Sequence, residues 1–557
     1  MKDAVARVLK NALNKKKVDL SEEEIEKLIE IPPNTEFGDY SFPCFFLAGK
    51  LHENPSQIAI ELREKIGNTS EIFEDIQTRG PYVNFFLNRK KLAMSLVVDV
   101  LSQKENFGKT NLGKAKKVVI EHTSINPNAS PHVGRARNAI IGDSIVKLAT
   151  FFNFKPEVHY YVNDVSKQIA MLVVAHSENL SFDKMLDAYI KISKKVEKSK
   201  KMEAKVFDEL KKFEQGDKET LKNFQKITKT CLEGQIKILK RIGIDYDVFD
   251  FESSYIDDAK NVLEKLSASK KLFKDKEGRF YLDQSDTQLK GMMKSPVLVL
   301  TRSDSTGLYP LRDLAYTIYK MSLSENNIIV LGEDQKLYFL QLKEALSLLK
   351  ENSPEVIHYS FILLNSQGKS KKMSTRKGDV VLLEDFLDEL IAKAEKEIKK
   401  RKTKGNPEAV ATAALKYKIL KNSPNKSINF DVDEALNFEG DTGSYLLYSY
   451  ARASSILKKA PKQKAFKISD LEEKEIELVK KLSQFPEIVL GAYKSLNPSI
   501  ISSYSYQLAQ IFNEFYHTCK VIGSEQQESF RIALVQAFRQ VLKNSLKLLG
   551  IETVEEM

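Results

Sequence analysis

The chain has little cysteine. Cys44, Cys231 and Cys519 are its three thiols, far apart and forming no metal-type pair. That spacing argues against a disulfide framework and against zinc, and it fits a reducing compartment. Long apolar runs are missing as well. None approaches the roughly 18 residues that a membrane span needs, and the opening "MKDAVARVLKNALNKKK" has no signal-peptide pattern. A cytoplasmic protein with no membrane partner is expected. No internal repeat or low-complexity tract is visible.

The rest is a globular composition. Of 557 residues, 42% are hydrophobic and 29% charged, enough for roughly three or four domains around a large core. A net charge of +11 favours a polyanionic partner, nucleic acid above all. A lysine-rich surface without such a partner is the alternative.

Periodicity divides the chain into three. Residues 1–112 form an α+β unit, with helical patterns around "NTEFGDYSFPCFFLAGKLHENPSQIAIELREKI" and a strand-like "RGPYVNFFLN". Residues 113–400 alternate strands with helices, which predicts a parallel α/β sheet with ligands at the strands' carboxyl ends. Its strand candidates are "VVIEHT", "EVHYYVND", "SPVLVLT", "NNIIVLG" and "IHYSFILLN". A lysine-rich helical insertion with a solvated face interrupts this pattern at about 179–260, and "KDKEGRFYLD" predicts a hairpin turning at Glu277-Gly278. In 401–557 strand signals vanish and an α-helical bundle is expected.

Two loops carry the chemistry. "INPNASPHVGRARNAIIGD" (125–143) follows a short apolar run and precedes helical spacing, so it reads as strand, loop, helix. A helix opened there aims unpaired N–H groups and its positive dipole end at the loop. Gly134 allows close approach to the backbone, and His132 and Arg135 are donors beside it. This is a seat for phosphate. The second loop, "NSQGKSKKMSTRKGDVV" (365–381), sets Lys369, Lys371, Lys372, Arg376 and Lys377 between glycines. Five cations repel one another unless an anion arrives, and a lid for a polyphosphate is the reading that follows.

"HVGR" and, about 240 residues later, "KMSTR" resemble the two signatures of class I aminoacyl-tRNA synthetases. "EHTSINP" and "KMSTRKG" are similar to the arginyl-tRNA synthetase forms. So, in family order, are "YYVNDVSKQI", "GLYPLRDLAY", "GEDQKLYF", "FEGDTGSYLLYSYARASSILKK" and "LKLLGIETVEEM", with "EFGDYSFPCFFLAGKL" and "GPYVNFF" at the N-terminus. The resemblance implies a multidomain α/β protein. A Rossmann-type catalytic domain with a parallel sheet would lie between an N-terminal α+β domain that binds the tRNA elbow and a C-terminal helical anticodon-binding domain. It implies an arginine–tRNA ligase that works with ATP, magnesium accompanying the ATP, L-arginine and tRNA(Arg), most simply as a monomer and with no dedicated metal site.

The resemblance also assigns residues. Asp313, with Tyr309 beside it, would take the arginine guanidinium, which needs a carboxylate for a bidentate pair; a helix-starting Asp is the competing reading. Glu121 and Asn126 would hold the substrate's α-amino and carboxylate ends, with Ser124 in the same loop and Gln335 as a further polar contact. His132, Gly134, Arg135 and Asn138 would serve the nucleotide, and Lys372, Met373 and Ser374 its triphosphate. Tyr82 and Asn84 would touch the tRNA elbow, where an aromatic ring with an adjacent amide can stack on and read an unpaired base; ordinary strand packing is the competing reading. Tyr445, Tyr448 and Arg452 would lie near the anticodon stem, although Tyr445 and Tyr448, three apart on a helix, also suit a core stripe. Arg135, Pro131, Ser166 and Lys336 depart from the family pattern. A tRNA-binding paralogue with a weakened site, or a class I synthetase for another amino acid, are the rival readings.

Overall fold

The computed structural model describes residues 2–67, 72–304, 306–366, 369–372, 381–461 and 465–557. The N-terminal elements are α1 (Lys2–Lys15), α2 (Glu22–Leu28), β1 (Tyr40–Pro43), α3 (Phe45–Leu51), α4 (Pro55–Ile66), β2 (Phe73–Arg79), β3 (Tyr82–Leu87) and α5 (Arg89–Gln103). Then come β4 (Lys117–Glu121), α6 (Val133–Phe151), β5 (Lys155–Val162), α7 (Lys167–Val174), α8 (Phe182–Lys198), α9 (Lys200–Glu214), α10 (Lys218–Arg241), β6 (Val248–Phe251) and α11 (Ile256–Ser267). Next are β7 (Leu272–Lys274), β8 (Phe280–Asp283), β9 (Val297–Val299), α12 (Tyr309–Leu323), β10 (Asn327–Gly332), α13 (Lys336–Leu348), β11 (Glu355–Tyr359), β12 (Ile362–Ser366), β13 (Lys369–Lys372), α14 (Leu383–Arg401) and α15 (Pro407–Leu420). The last are β14 (Ile428–Phe430), α16 (Val432–Ala435), α17 (Gly443–Lys459), α18 (Glu473–Ser483), α19 (Phe485–Lys494), α20 (Ser499–Thr518) and α21 (Glu528–Leu548).

Contacts group these elements into two compact units. The first holds Met1–Phe107, Lys459–Gln484 and Ile511–Gln540. In it β1, β3 and β2 form an antiparallel sheet in that order. Val83 and Phe85 alternate along β3 toward a core made with Val5, Leu9, Ile58 and Leu62. The period of two therefore leaves Tyr82 and Asn84 together on the opposite face. α1 shows the helical counterpart, with Val5, Leu9 and Leu13 four apart and buried.

The second unit holds Gly108–Lys458, Phe485–Gln510 and Val541–Met557. Its centre is a five-stranded sheet, all parallel, in the order β11-β10-β4-β5-β6. Val118, Val119 and Ile120 of β4 are buried in succession, as befits a strand covered on both faces. The chain winds from β4 toward β5 and β6, then crosses back to β10 and β11. The order reverses between β4 and β10, and a doubly wound sheet opens its ligand crevice at the carboxyl ends of such a pair. α6 runs out of that point and is buried on nearly every side. Gly142 permits this, because a Cβ there would lie 2.3 Å from Cγ of His122.

Three sequence expectations need correction. "SPVLVLT" does not join the parallel sheet: β9 pairs antiparallel with β8, completing the small sheet whose hairpin turns at Gly278, φ 88°. A short apolar run reports burial but not the direction of its partner. "IHYSFILLN" is two strands, β11 in the parallel sheet and β12 in a separate one. In that sheet β14 pairs parallel with β12, so a strand does occur after residue 400. "VFDF" was not among the strand candidates, yet it forms β6 at the edge of the parallel sheet. Among the described residues no helix is long and apolar enough to cross a membrane.

Candidate active site

The carboxyl ends of β4 and β10 supply the first residues. Glu121 closes β4, is buried, and forms a close ion pair with Lys320 of α12, itself 1% exposed. Ser124 Oγ donates to the other carboxylate oxygen of Glu121 at 3.4 Å. Asn126 is half-buried in the same loop. Gln335 lies just past β10, its side chain exposed to solvent.

α12 contributes a stripe. Tyr309, Asp313, Tyr316 and Lys320 recur at helical spacing and share one face. Asp313 sits in the fifth position of the helix, one turn inside it. Its Oδ2 accepts from Tyr338 at 2.5 Å and its Oδ1 from Tyr161 at 3.3 Å. Burial pushes its carboxyl up to about 6, against the pull of the Tyr338 hydrogen bond and of the Arg312 charge. The neighbouring charges are already matched: Lys320 with Glu121, and Arg312 with Glu252 at 2.6 Å. Asp313 forms no ion pair within 4 Å among the described residues. Tyr309 is 53% exposed, its ring 5.3 Å from that of Tyr338. The result is a half-buried carboxylate walled by phenols, a seat for a cation.

At the start of α6, His132 is the N-cap, and no side chain caps the helix. Burial, aided by the Arg135 charge, lowers the His132 imidazole to about 4, so it is neutral at physiological pH. Its Nδ1 is buried with no hydrogen-bond partner among the described residues. Gly134 and Arg135 follow in the first turn, both half-buried. Asn138 has its amide engaged at both ends, Oδ1 accepting from Thr123 N at 2.6 Å and Nδ2 donating to Val330 O at 2.8 Å. It clamps α6 to the loop after β4 and to β10.

Of the second loop, Met373 and Ser374 lie outside the described residues, as does the side chain of Lys372. Lys372 is the last residue of β13, paired in register with Leu363. The segment after the loop is held against the first signature. Val133 N donates to Val381 O at 3.1 Å and Leu383 N to Pro131 O at 2.8 Å. Backbone bridging thus joins 131–133 to 381–383, and Pro131, unable to donate, serves as an acceptor. Ser166, another departure, is the N-cap of α7, accepting from Ile169 N at 3.3 Å. Lys336 is exposed and 3.5 Å from Glu333.

The remaining assigned residues lie elsewhere. Tyr82 and Asn84 line a cavity of about 380 Å³ with Phe37 and Arg79, whose guanidinium lies 4.4 Å over the Phe37 ring. Asn84 is 4% exposed and accepts from Ser41 Oγ at 2.7 Å. Tyr445, Tyr448 and Arg452 are half-buried on α17. Arg452 donates to the Tyr448 hydroxyl at 2.9 Å and Tyr445 packs 5.6 Å from Tyr506. Sequence reasoning missed Lys320, Tyr161, Tyr338 and Arg137. The α12 stripe could have revealed Lys320. Arg137 gave no signal: it is buried in the second turn of α6, donating to Ser360 O at 2.8 Å and Ser423 O at 3.2 Å.

Comparison with known proteins agrees with this layout. A profile described as "Arginyl tRNA synthetase N terminal domain" matches residues 1–87, "tRNA synthetases class I (R), catalytic domain" matches 96–431, and "DALR anticodon binding domain" matches 446–557. The chain is 35% identical to the arginine–tRNA ligase of Methanocaldococcus jannaschii, covering 97% of this chain and 98% of that one. It is 35% identical to the arginine–tRNA ligase of Clostridium perfringens, covering 98% of each. The solved arginyl-tRNA synthetase of Thermus thermophilus superposes over the whole of both chains with a TM-score of 0.80 at 25% identity. A parallel sheet that opens its crevice between Glu121 and Gln335, and relatives aligned from end to end, lead to one conclusion: the chain belongs to the arginyl-tRNA synthetase family.

Proposed function

We propose that the chain activates L-arginine with ATP and transfers it to the terminal adenosine of tRNA(Arg). The observation that carries the amino-acid choice is Asp313, a half-buried carboxylate among matched ion pairs that, among the described residues, accepts hydrogen bonds from phenols alone. A guanidinium satisfies it bidentately and supplies the missing charge. Tyr309 covers the planar group, and Glu121, Ser124, Asn126 and Gln335 receive the amino and carboxylate ends. No observation favours a weakened paralogue.

The reaction needs no protein nucleophile. Arginine's carboxylate attacks the α-phosphorus of ATP, pyrophosphate departs, and the 2′-hydroxyl of the terminal ribose then takes the arginyl group from AMP. The protein's work is positioning and charge stabilisation. Neutral His132 offers one directed hydrogen bond to phosphate or ribose. Gly134 admits the nucleotide to the helix N-terminus, Arg135 adds a permanent charge, and Asn138 holds the helix in place. Lys372, Met373 and Ser374 are assigned to the triphosphate by the family resemblance. Magnesium would accompany the triphosphate, whose oxygens are the hard ligands it prefers.

For tRNA, the division into 1–112, 113–400 with its insertion at about 179–260, and 401–557 assigns the elbow to the first part and the anticodon stem to the last. Tyr82 and Asn84 face a cavity large enough for a base, walled by the Arg79–Phe37 stack. Tyr448 and Arg452 present a ring and a charge together. A cytoplasmic monomer is the simplest setting. ATP–pyrophosphate exchange with arginine and with lysine, each with and without tRNA, tests the reaction. Exchange with arginine alone is the expected result, and exchange driven equally by lysine would overturn the reading.

A further inference from the structure

The loop from β4 to α6 contains two residues in the left-handed region, Thr123 at φ 79° and Ser124 at φ 44°. Neither is glycine, and Thr123 is β-branched, a residue type for which this region is a genuine outlier. Such a conformation persists only where its surroundings over-determine it. Here they do. Thr123 N donates to Asn138, as described, and the Tyr246 hydroxyl donates to Thr123 Oγ1 at 2.7 Å. The Tyr160 hydroxyl lies 3.1 Å from both N and O of Ile125.

Beyond Ile125 one side chain takes over. Nε2 of Gln235 donates to the carbonyls of Asn126 at 3.0 Å and Ala129 at 2.8 Å. Its Oε1 faces the Tyr160 hydroxyl at 3.0 Å. Gln235 is 0% exposed and belongs to α10, the last helix of the lysine-rich insertion. The helix otherwise buries mainly apolar groups such as Phe224, Ile227 and Ile238. An amide carries a desolvation cost that an apolar side chain avoids, unless its hydrogen bonds are needed. One end of this amide bonds the loop directly, and the other faces the Tyr160 hydroxyl of β5 that lies against Ile125.

We propose that Gln235 is a positioning residue for arginine recognition. From the insertion it fixes the backbone at Asn126 and Ala129, and so holds the strained turn that presents Ser124 and Asn126. The inference rests on the reading of 121–126 as the amino-acid loop. It gives the insertion a part in substrate selection without any contact to substrate.

The test measures arginine and ATP KM in tRNA charging for Gln235→Met, Gln235→Glu and Asn126→Ala. Gln235→Met keeps the volume and loses the bonds. Its arginine KM should rise at least tenfold while the ATP KM and kcat stay within twofold. In Gln235→Glu the protonated acid keeps one of the amide's two donated bonds through its single O–H, whereas the carboxylate donates none and repels both carbonyls. Its arginine KM, relative to the parent's at the same pH, should be at least fivefold higher at pH 8.5 than at pH 6, a dependence that mere core filling would not produce. Parental arginine KM in Gln235→Met, or arginine and ATP KM rising together in both Gln235 variants, would overturn the proposal. If Asn126→Ala raises the arginine KM and Gln235→Met does not, positioning alone is overturned. If Asn126→Ala is also parental, the loop assignment falls with it.

Discussion

Asp313 differs from the carboxylates around it in forming no ion pair among the described residues. Glu121, Glu252 and Asp250 each have a cationic or imidazole partner, so removing one of those would leave a buried charge unmatched. Asp313 waits for its partner. Asp313→Asn should therefore lose at least about 3 kcal/mol of transition-state stabilisation in arginylation, because the guanidinium would be held without its counter-charge. Arginylation kinetics within threefold of the parent would sink that assignment. The sign of its titration gives a second expectation. The folded carboxyl, held up at about 6, lies above its ordinary value, so its contribution to stability is full at acid pH and is lost as pH rises through 6. Arginine restores the loss by pairing with the charged form. The arginine-induced rise in Tm should grow between pH 5 and pH 7 and level off above, and Asp313→Asn should flatten that profile. Arg135 is the residue to test on the nucleotide side. Arg135→Ala should raise the ATP KM at least tenfold, with Arg135→His recovering much of it, since a ring donor can replace one guanidinium bond. An unchanged ATP dependence would make Arg135 a spectator.

At the scale of elements, the strand-loop-helix that carries the first signature was legible because β4 is apolar in succession and α6 keeps helical spacing. The α12 site was legible only in part. Tyr309 and Asp313 lie in a recognisable stretch and Lys320 continues their helical spacing, whereas Tyr161 and Tyr338 reach Asp313 only through folding. Gln235 and Asn126 are 109 residues apart, and no local pattern links them. β6 was missed because "VFDF" is four residues with an acid inside, and its Asp250 is buried against His159 at 2.6 Å rather than marking a turn. Ser166 turns a departure from the family pattern into an ordinary cap. Ser166→Ala should cost about 1 kcal/mol of stability and Ser166→Gly only a few tenths. Chemical denaturation of both variants checks the ranking, and equal losses would show that the hydroxyl does something other than cap α7.

For the molecule as a whole, the net charge of +11 bears on association. Affinity for tRNA should fall on the order of a hundredfold or more between 50 and 200 mM salt. Fluorescence titration would show it, and a flat dependence would deny phosphate contacts a large share. The C-terminal residues also belong to the catalytic unit. Ser144 Oγ on α6 donates to Leu548 O at 2.8 Å, and Lys416 Nζ donates to Gly550 O at 2.7 Å. Leu546, Leu549 and Ile551 are buried there. Deleting 541–557 should lower the Tm and abolish pyrophosphate exchange as well as charging. Exchange at the parental rate by the shortened chain would contradict this.

The bond from Ser144 to Leu548 spans 404 positions of sequence. On the ribosome, α6 emerges long before the residue that covers it. Throughout that interval the helix bearing His132 keeps an uncovered flank, a surface on which a chaperone or another nascent chain can settle. A message cut short anywhere in its final stretch yields a chain that holds both signatures yet lacks the residue that covers α6 at Ser144. Such a product should be cleared by proteolysis and should not compete with intact copies for tRNA.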